Sequence, residues 1–338
     1  MPPWIAALLA RIRRSPRPDA EPTTAAPPPP PSLYPATLSA LTGRADSVER
    51  QQIFEPALKH YQYAYRLGDP AFASDDEAAR WRLARRQVTG HVLRLIEASR
   101  WRDHLVLRGS ALLKAWFGDA AREPGDIDWV FRPADVDLAH PMAGELFAEL
   151  RAMLAAQPRA GEATIDLDAL AIDDIWTYER AAGRRIIIPW RVDGLPPGEG
   201  QMDVVFTEEL PVAPIEQELE TPAGAARLWA APMDLSLAWK LMWLDTDRHP
   251  QGKDLYDAVL LAERAQLDPA LLKQVLHSAD TQGWPVYDTI EHPAEWQVDW
   301  KNFQLEAPWV EEDEADWKAR LAAALAPSIT EYRRRGSA

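Results

Sequence analysis

The spacing of hydrophobic residues changes its period several times along the chain. From residue 47 to about residue 102, apolar residues recur at intervals of three and four, for example within 53–65 and 87–96. This period is typical of an amphipathic helix. The pair Asp75-Asp76, which precedes Glu77 and two alanines, is a helix-start signal. We therefore predict a helical region over residues 45–104.

After residue 104, short runs of β-branched and aromatic residues replace this period. Such runs, bounded by turn-forming residues, predict strands, and they lie at 104–108, 126–131, 185–190 and 201–206. Helical patterns occupy 111–117 and 142–154. The order strand, helix, strand, helix and then two strands favours a small mixed sheet over a long parallel one. The predicted fold class is α+β, with the sheet in a core over residues 105–210.

The two ends of the chain differ from this core. After residue 210 the pattern is mostly helical, with helix starts predicted at Met233, Gly252 and Pro269 and a last helix at 311–325. At the other end, residues 1–44 form a short basic segment and a linker. Nine of the twenty residues at 16–35 are proline, which favours an extended, disordered linker. The basic segment itself is either a disordered tail or a short amphipathic helix.

Composition and charge exclude several classes of protein. The chain has 338 residues with 37 Lys and Arg against 52 Asp and Glu, a net charge of −15, which argues against a protein that coats DNA. It has no cysteine, so disulfides, thiolate zinc sites and cysteine nucleophiles are excluded. No apolar run is long enough to span a membrane, and the first apolar run precedes the arginines, unlike a secretory signal. We expect a cytoplasmic protein without a membrane partner.

Two carboxylates stand two residues apart in the second predicted strand. Side chains alternate between the faces of a strand, so Asp126 and Asp128 point one way and Ile127 and Trp129 the other. Adjacent carboxylates repel each other unless a cation lies between them, and a hard cation such as Mg²⁺ suits this pair. Taken alone, the pattern is equally that of a half-exposed strand with solvated aspartates.

A second motif lies where the first predicted strand ends and a helix begins. Gly109 lets a phosphate approach the backbone closely, and Ser110 and the free N–H groups of the first helical turn can donate to it. Alone, this pair is also an ordinary helix cap. Together the motifs place an anion site beside a metal-binding pair, as an NTP with Mg²⁺ requires. Asp203, on the strand at 201–206, is a candidate third metal ligand.

The order of four segments resembles a known enzyme family. These segments are the residues 108–113, RGSALL, the residues 122–129, REPGDIDW, the residues 235–241, LSLAWKL, and the residues 253–257, KDLYD. In this order they are similar to the AbiEii/AbiGii toxin-type nucleotidyltransferases, which include the MenT toxins and belong to the DNA polymerase β-like superfamily. The resemblance covers roughly residues 100–265. Gly125 stands where the family usually has Ser or Thr.

The resemblance implies roles for individual residues. Gly109 and Ser110 would hold the triphosphate, Asp126 and Asp128 would hold Mg²⁺, Lys240 would contact phosphate, and Asp254 would lie in the same active site. The helical region at 211–338 would thus complete the active site of the core. From the residues alone, Lys240 is either a lysine at the rim of a core or one that pairs with a phosphate or a carboxylate. Asp254 is equally explained by its place near a helix start.

The resemblance also implies an activity and partners. An enzyme of this family would transfer NMP from an NTP to an acceptor, here a tRNA or other RNA, as the toxin of a toxin–antitoxin pair with a cognate antitoxin. Two alternatives stay open. The acceptor is a protein side chain or a small molecule, a hypothesis motivated by the charge of −15. Otherwise the chain is an inactive nucleotide-binding or interaction module, as its Pro-rich arm and unplaced last 70 residues suggest.

Overall fold

The computed structural model describes residue 37 and residues 49–55, 65–175, 182–247, 249–278, 289–290 and 293–336. These residues divide into two compact units. The sheet unit contains the described residues up to Ser236 except Tyr65. The helical unit contains Tyr65 and the described residues from Leu237 onward. The tail and linker predicted over residues 1–44 lie outside the described residues, apart from Thr37.

The elements of the first part of the chain confirm one long helix and correct the prediction around it. Strands β1 (Arg50–Phe54) and β2 (Tyr65–Pro70) pair with each other, so the helical prediction is wrong for both segments. Helix α1 (Asp75–Glu97) begins at the predicted signal. The Ser74 side chain accepts a hydrogen bond from the backbone N–H of Glu77. Such a cap satisfies a backbone donor that the helix itself leaves unpaired.

The core strands and helices follow in the predicted order, with additional short strands. They are β3 (Leu105–Arg108), α2 (Ser110–Phe117), β4 (Ile127–Phe131), α3 (Pro141–Ala156), β5 (Arg159–Ala160), β6 (Ala163–Ile165), β7 (Ala171–Asp174), β8 (Gly183–Arg191) and β9 (Gly198–Val205). Two further strands, β10 (Ile215–Leu219) and β11 (Ala226–Ala230), lie in the region predicted as helical, and that prediction is wrong for them.

Nine of these strands form one mixed sheet in the described part of the chain. Their order is β10-β11-β3-β4-β9-β8-β6-β5, and β7 pairs with β8. The pairs β11–β3 and β4–β9 are parallel and the other pairs are antiparallel. The α+β fold class is confirmed, although the sheet is larger than the small one that the sequence predicts.

Strand β3 is buried on both faces over its first three residues. In β3, Leu105, Val106 and Leu107 are consecutive and all fully buried, because helices cover the sheet. Helix α1 packs against β9 and β11, and α2 packs against β3, β4 and β10. This packing fixes the short β3–α2 connection, and with it the position of the Gly109-Ser110 turn.

The helical unit is built around a cluster of aromatic side chains. Helix α4 (Met233–Thr246) starts in the sheet unit and is followed by α5 (Gly252–Ala262), α6 (Pro269–Ser278), α7 (Trp300–Glu306) and α8 (Glu314–Gly336). The predicted starts at Met233, Gly252 and Pro269 are confirmed, and the last helix runs further than predicted. Tyr256 of α5 packs against Phe303 and Trp317 with ring centroids 5.4 and 4.6 Å apart. Among the described residues, no helix is long and apolar enough to cross a bilayer.

Gly198 provides a test of the packing between β8 and β9. It pairs with Trp190, and a Cβ at Gly198 would overlap the buried indole of that residue. We expect Gly198→Ala to lower the free energy of unfolding by about 1–3 kcal/mol through overpacking. Gly144→Ala is the matched control, because Gly144 is an exposed residue of α3 with open space at its Cβ.

Denaturant unfolding of both variants measures the difference. The control is expected to gain up to about 1 kcal/mol, since alanine is the better helix former. Equal stability of the two variants would show that Trp190 does not fill the space above Gly198.

Candidate active site

A row of charged side chains crosses four adjacent strands of the sheet. Arg108 on β3 lies opposite Asp128 on β4, Asp128 lies opposite Asp203 on β9, and Asp203 lies opposite Arg185 on β8. Residues directly opposite each other on neighbouring strands point to the same face. The two carboxylates in the middle of the row therefore have a guanidinium on each side.

Asp126 adds a third carboxylate to this face. It directly precedes β4 and stands two residues before Asp128, and both side chains are partly exposed. Ile127 and Trp129 between and beyond them are buried, at 3% and 0% exposure. The alternation predicted from the sequence is confirmed, and it leaves both carboxylates accessible to a cation.

The turn between β3 and α2 lies directly against this carboxylate pair. Gly109 has φ +79° and ψ −157°, a conformation that is essentially restricted to glycine. A Cβ at this position would also overlap Oδ2 of Asp128. Two independent reasons therefore favour glycine at this position: the positive φ angle of the backbone and the close approach of the Asp128 side chain.

Ser110 has the features of an anion ligand. It is the first residue of α2 and is 2% exposed, and its Oγ has no hydrogen-bond partner in the part of the chain that the structure describes. An unsatisfied buried hydroxyl is costly unless a ligand or water completes it. Because it stands among the free N–H groups of a helix N-terminus, the partner that fits best is a phosphate.

The third candidate metal ligand, Asp203, is bound by Arg185. Nε of Arg185 donates to Oδ1 of Asp203 at 2.9 Å, and a terminal nitrogen donates to Oδ2 at 2.7 Å. Both residues are 7% exposed. Burial raises the pKa of the Asp203 carboxyl, and the hydrogen bonds and charge of Arg185 oppose that shift.

The charge of Arg185 is itself stabilised by its surroundings. Burial alone would lower the pKa of its guanidinium, but the hydrogen bonds and charge of Asp203 raise it above the ordinary value. The carboxylates of Asp126 and Asp128 act in the same direction. Arg185 is therefore a permanent cation that contacts Asp203 and acts on Asp126 and Asp128 through its charge. From the sequence, Arg185 is a candidate for a nucleic-acid groove and not a partner of Asp203, because their opposition depends on the register of β8 and β9.

At the other end of the row, Arg108 has a carboxylate of its own. One of its terminal nitrogens donates to both oxygens of Glu208, at 2.8 and 2.9 Å, and the two side chains are mostly buried. The charge of Arg108 still lowers the pKa of Asp203 in part, which shows that its field reaches the row.

In the helical unit, Lys240 bridges two buried carboxylates. Its Nζ lies 2.7 Å from Oδ1 of Asp254 and 2.9 Å from Oδ2 of Asp257. The three residues are at most 6% exposed. Of the partners considered from the sequence, a carboxylate is the one present. Asp257 is missed as a partner by the sequence analysis, although its spacing of three from Asp254 on one helix puts both on the same face.

On this face of the sheet, Asp126 and Asp128 are partly exposed, whereas Asp203 is buried and paired with Arg185. Among the described residues, no group of three or more His, Cys, Asp or Glu side chains is placed to hold a metal ion. Asp126 and Asp128 offer the oxygen ligands that Mg²⁺ prefers, so this pair fits the ion. Gly109, Ser110, Asp126, Asp128 and Asp203 all lie on one region of the sheet unit.

A mixed sheet that sets a Gly-Ser turn and a helix N-terminus against an Asp-x-Asp pair is the arrangement that the sequence segments lead us to expect of a nucleotidyltransferase. The family model described as "Nucleotidyl transferase AbiEii toxin, Type IV TA system" matches residues 91–325, more than half of the chain. The chain therefore belongs to the AbiEii nucleotidyltransferase toxin family, as the four sequence segments predict. A search of curated proteins gave no match.

The contact between Gly109 and Asp128 can be tested by substitution. Gly109→Ala is expected to lose about 1–3 kcal/mol of stability from backbone strain and about 1–3 kcal/mol more from the overlap with Asp128. Gly118→Ala is the matched control, because Gly118 also has a positive φ, of +56°, but open space at its Cβ. Denaturant unfolding compares the two. Equal losses would contradict the contact.

The buried cluster of the helical unit gives a second stability prediction. Lys240→Met leaves two buried carboxylates without their cation, so we expect a loss of about 3–5 kcal/mol. Lys301→Met is the control, because Lys301 is an exposed residue of α7 and its loss is expected to stay within about 0.5 kcal/mol. Unfolding curves at pH 7 measure both, and a Lys240→Met protein as stable as the control would refute the bridge.

Proposed function

We propose that the chain transfers NMP from an NTP to an acceptor hydroxyl, with the triphosphate on the Gly109-Ser110 turn and Mg²⁺ on Asp126 and Asp128. The observation that carries the proposal is the contact of the turn with Asp128, together with the unsatisfied buried hydroxyl of Ser110. These features supply an anion site next to a cation site, and Mg²⁺·NTP has both charges.

Different side chains bind the phosphates and the metal in the proposed reaction. Ser110 and the first N–H groups of α2 hold phosphate oxygens, which fixes the nucleotide relative to β4. Asp126 and Asp128 hold the metal, which when bound would neutralise charge on the reacting phosphate. The acceptor hydroxyl gives its proton to water as its oxygen forms a bond to the α-phosphorus. The bond from that phosphorus to the oxygen that bridges it to the β-phosphate breaks, and pyrophosphate leaves. Positioning and charge neutralisation account for catalysis.

The acceptor that we propose is tRNA or another RNA, and the proposal includes a cognate antitoxin. Membership of a toxin family supports both. The charge of −15 favours a protein or small-molecule acceptor as the alternative. The inactive-module hypothesis is less well supported, because an inactive site has no need of two adjacent, partly exposed carboxylates beside an anion site. The roles of Lys240 and Asp254 in the reaction stay a prediction from the family.

The proposal is tested by nucleotide incorporation. Purified protein is incubated with Mg²⁺, total cellular RNA and each α-labelled NTP in turn. We expect one NTP to label an RNA band, and Asp126→Asn and Asp128→Asn to reduce the rate by at least about 10²-fold, since each removes charge stabilisation of the transition state. Asp135→Asn is the control, because Asp135 is exposed in the same unit, and it should keep the full rate.

The position of the label decides between the hypotheses. Label on a protein band, lost in the two variants, would support the alternative acceptor. Activity that survives both substitutions would contradict the assigned site, and no label with any NTP would favour the inactive module.

A further inference from the structure

We propose that Arg185 is a built-in counter-ion of Asp203, so that Asp203 is a positioning residue and the Mg²⁺ site consists of Asp126 and Asp128 alone. This inference rests on the proposed function, because it concerns the same site. It revises the expectation from the sequence that Asp203 is a third metal ligand.

The hydrogen bonds of Asp203 leave it poorly available to a metal. Each carboxylate oxygen of Asp203 accepts a charge-assisted hydrogen bond from Arg185, at 2.9 and 2.7 Å. Oδ2 also accepts a hydrogen bond from Nε2 of Gln201 at 3.4 Å. To bind a metal, the carboxylate would have to give up two charge-assisted hydrogen bonds inside a buried environment, which is costly.

Arg185 has little freedom to move away. Its strand β8 is paired on both sides, so Arg185 lies opposite Asp203 on β9 and opposite Asp173 on β7. Its side chain is 8% exposed, against 10% for that of Asp203. The backbone on both sides is therefore fixed by the sheet, and the ion pair is part of the packing of β8 against β9.

The charges of the region balance with one divalent ion. Asp126, Asp128 and Asp203 supply three negative charges, and Arg185 supplies one positive charge that acts on all three. Arg108 is compensated by Glu208. In the absence of a nucleotide, one divalent cation on Asp126 and Asp128 would therefore neutralise the two negative charges that remain after the charge of Arg185 is counted. In this arrangement, the Arg185–Asp203 ion pair holds Asp203 in place beside Asp128 and does not contact the reacting atoms.

The test removes both charges of the pair and measures metal binding directly. Binding of Mn²⁺ alone is followed by the electron paramagnetic resonance signal of the free ion, in the wild type and in Arg185→Gln/Asp203→Asn. The matched control is Arg184→Gln/Asp174→Asn, which neutralises an exposed ion pair of 3.5 Å on β8 and β7. Both double variants leave the net charge unchanged.

We expect both double variants to bind Mn²⁺ within about threefold of the wild type, because a neutral pair is exchanged for a neutral pair. If Asp203 were a ligand, the first double variant would lose more than the ~100-fold that is the upper end for an indirect partner, while the control would not. That result would overturn the inference alone. If Asp126→Asn bound Mn²⁺ as the wild type does, the proposed function would fall as well.

A second measurement needs no neutralised variant and covers the case in which the double variant does not fold. The Nε–H of Arg185, which donates to Asp203, is a buried donor whose resonance should exchange slowly with water. We expect it to keep its position and its slow exchange when Mg²⁺ saturates the wild-type protein. Loss of the protected resonance on addition of Mg²⁺ would show that Asp203 leaves Arg185 for the metal, and would overturn the inference.

Discussion

Repulsion between carboxylates is the constraint around which the sheet unit is arranged. Asp128 and Asp203 lie directly opposite each other on the neighbouring parallel strands β4 and β9, an arrangement in which like charges destabilise a sheet. Nonetheless these strands lie at the centre of the fold. Arg185 on β8 offsets the negative charge of Asp203, and the charge of Arg108 on β3 also acts on Asp203 from the other side of the row. The remaining negative charge on Asp126 and Asp128 is what a bound cation would balance.

The helical unit also contains buried carboxylates that repel each other, but there one cation is shared by two of them. There one buried ammonium, Lys240, lies between two carboxylates, Asp254 and Asp257. A lysine is a compact point charge that can bridge two acceptors, whereas the planar guanidinium of Arg185 matches both oxygens of a single carboxylate. Among the described residues, the buried acids Asp203, Asp254 and Asp257 thus each pair with a cation whose shape fits the number of carboxylates that it contacts.

The sequence predicts the local parts of this structure and misses the parts set by strand pairing. The strands at 104–108 and 126–131, the helix start at Asp75 and the contact partners Gly109 and Asp128 follow from short patterns. The strands β1 and β10 were hidden because they are short and mostly exposed, so they show no alternation of apolar residues. Arg185 and Asp203 are 18 residues apart, and only the register of β8 with β9 makes them partners. Register is set by the pattern of buried residues along both strands and by the geometry of the turn between them, so the two residues alone do not reveal it.

The same charge pattern bears on how an acceptor reaches the site. A chain of net charge −15 repels a polyanion, but in physiological salt this effect fades beyond about 8 Å. Within the sheet unit, Arg80, Arg85 and Arg86 each pair with a carboxylate, so they add little net positive potential. An RNA acceptor would then gain little from these three arginines, and short-range contacts and the bound Mg²⁺·NTP would have to supply what they do not.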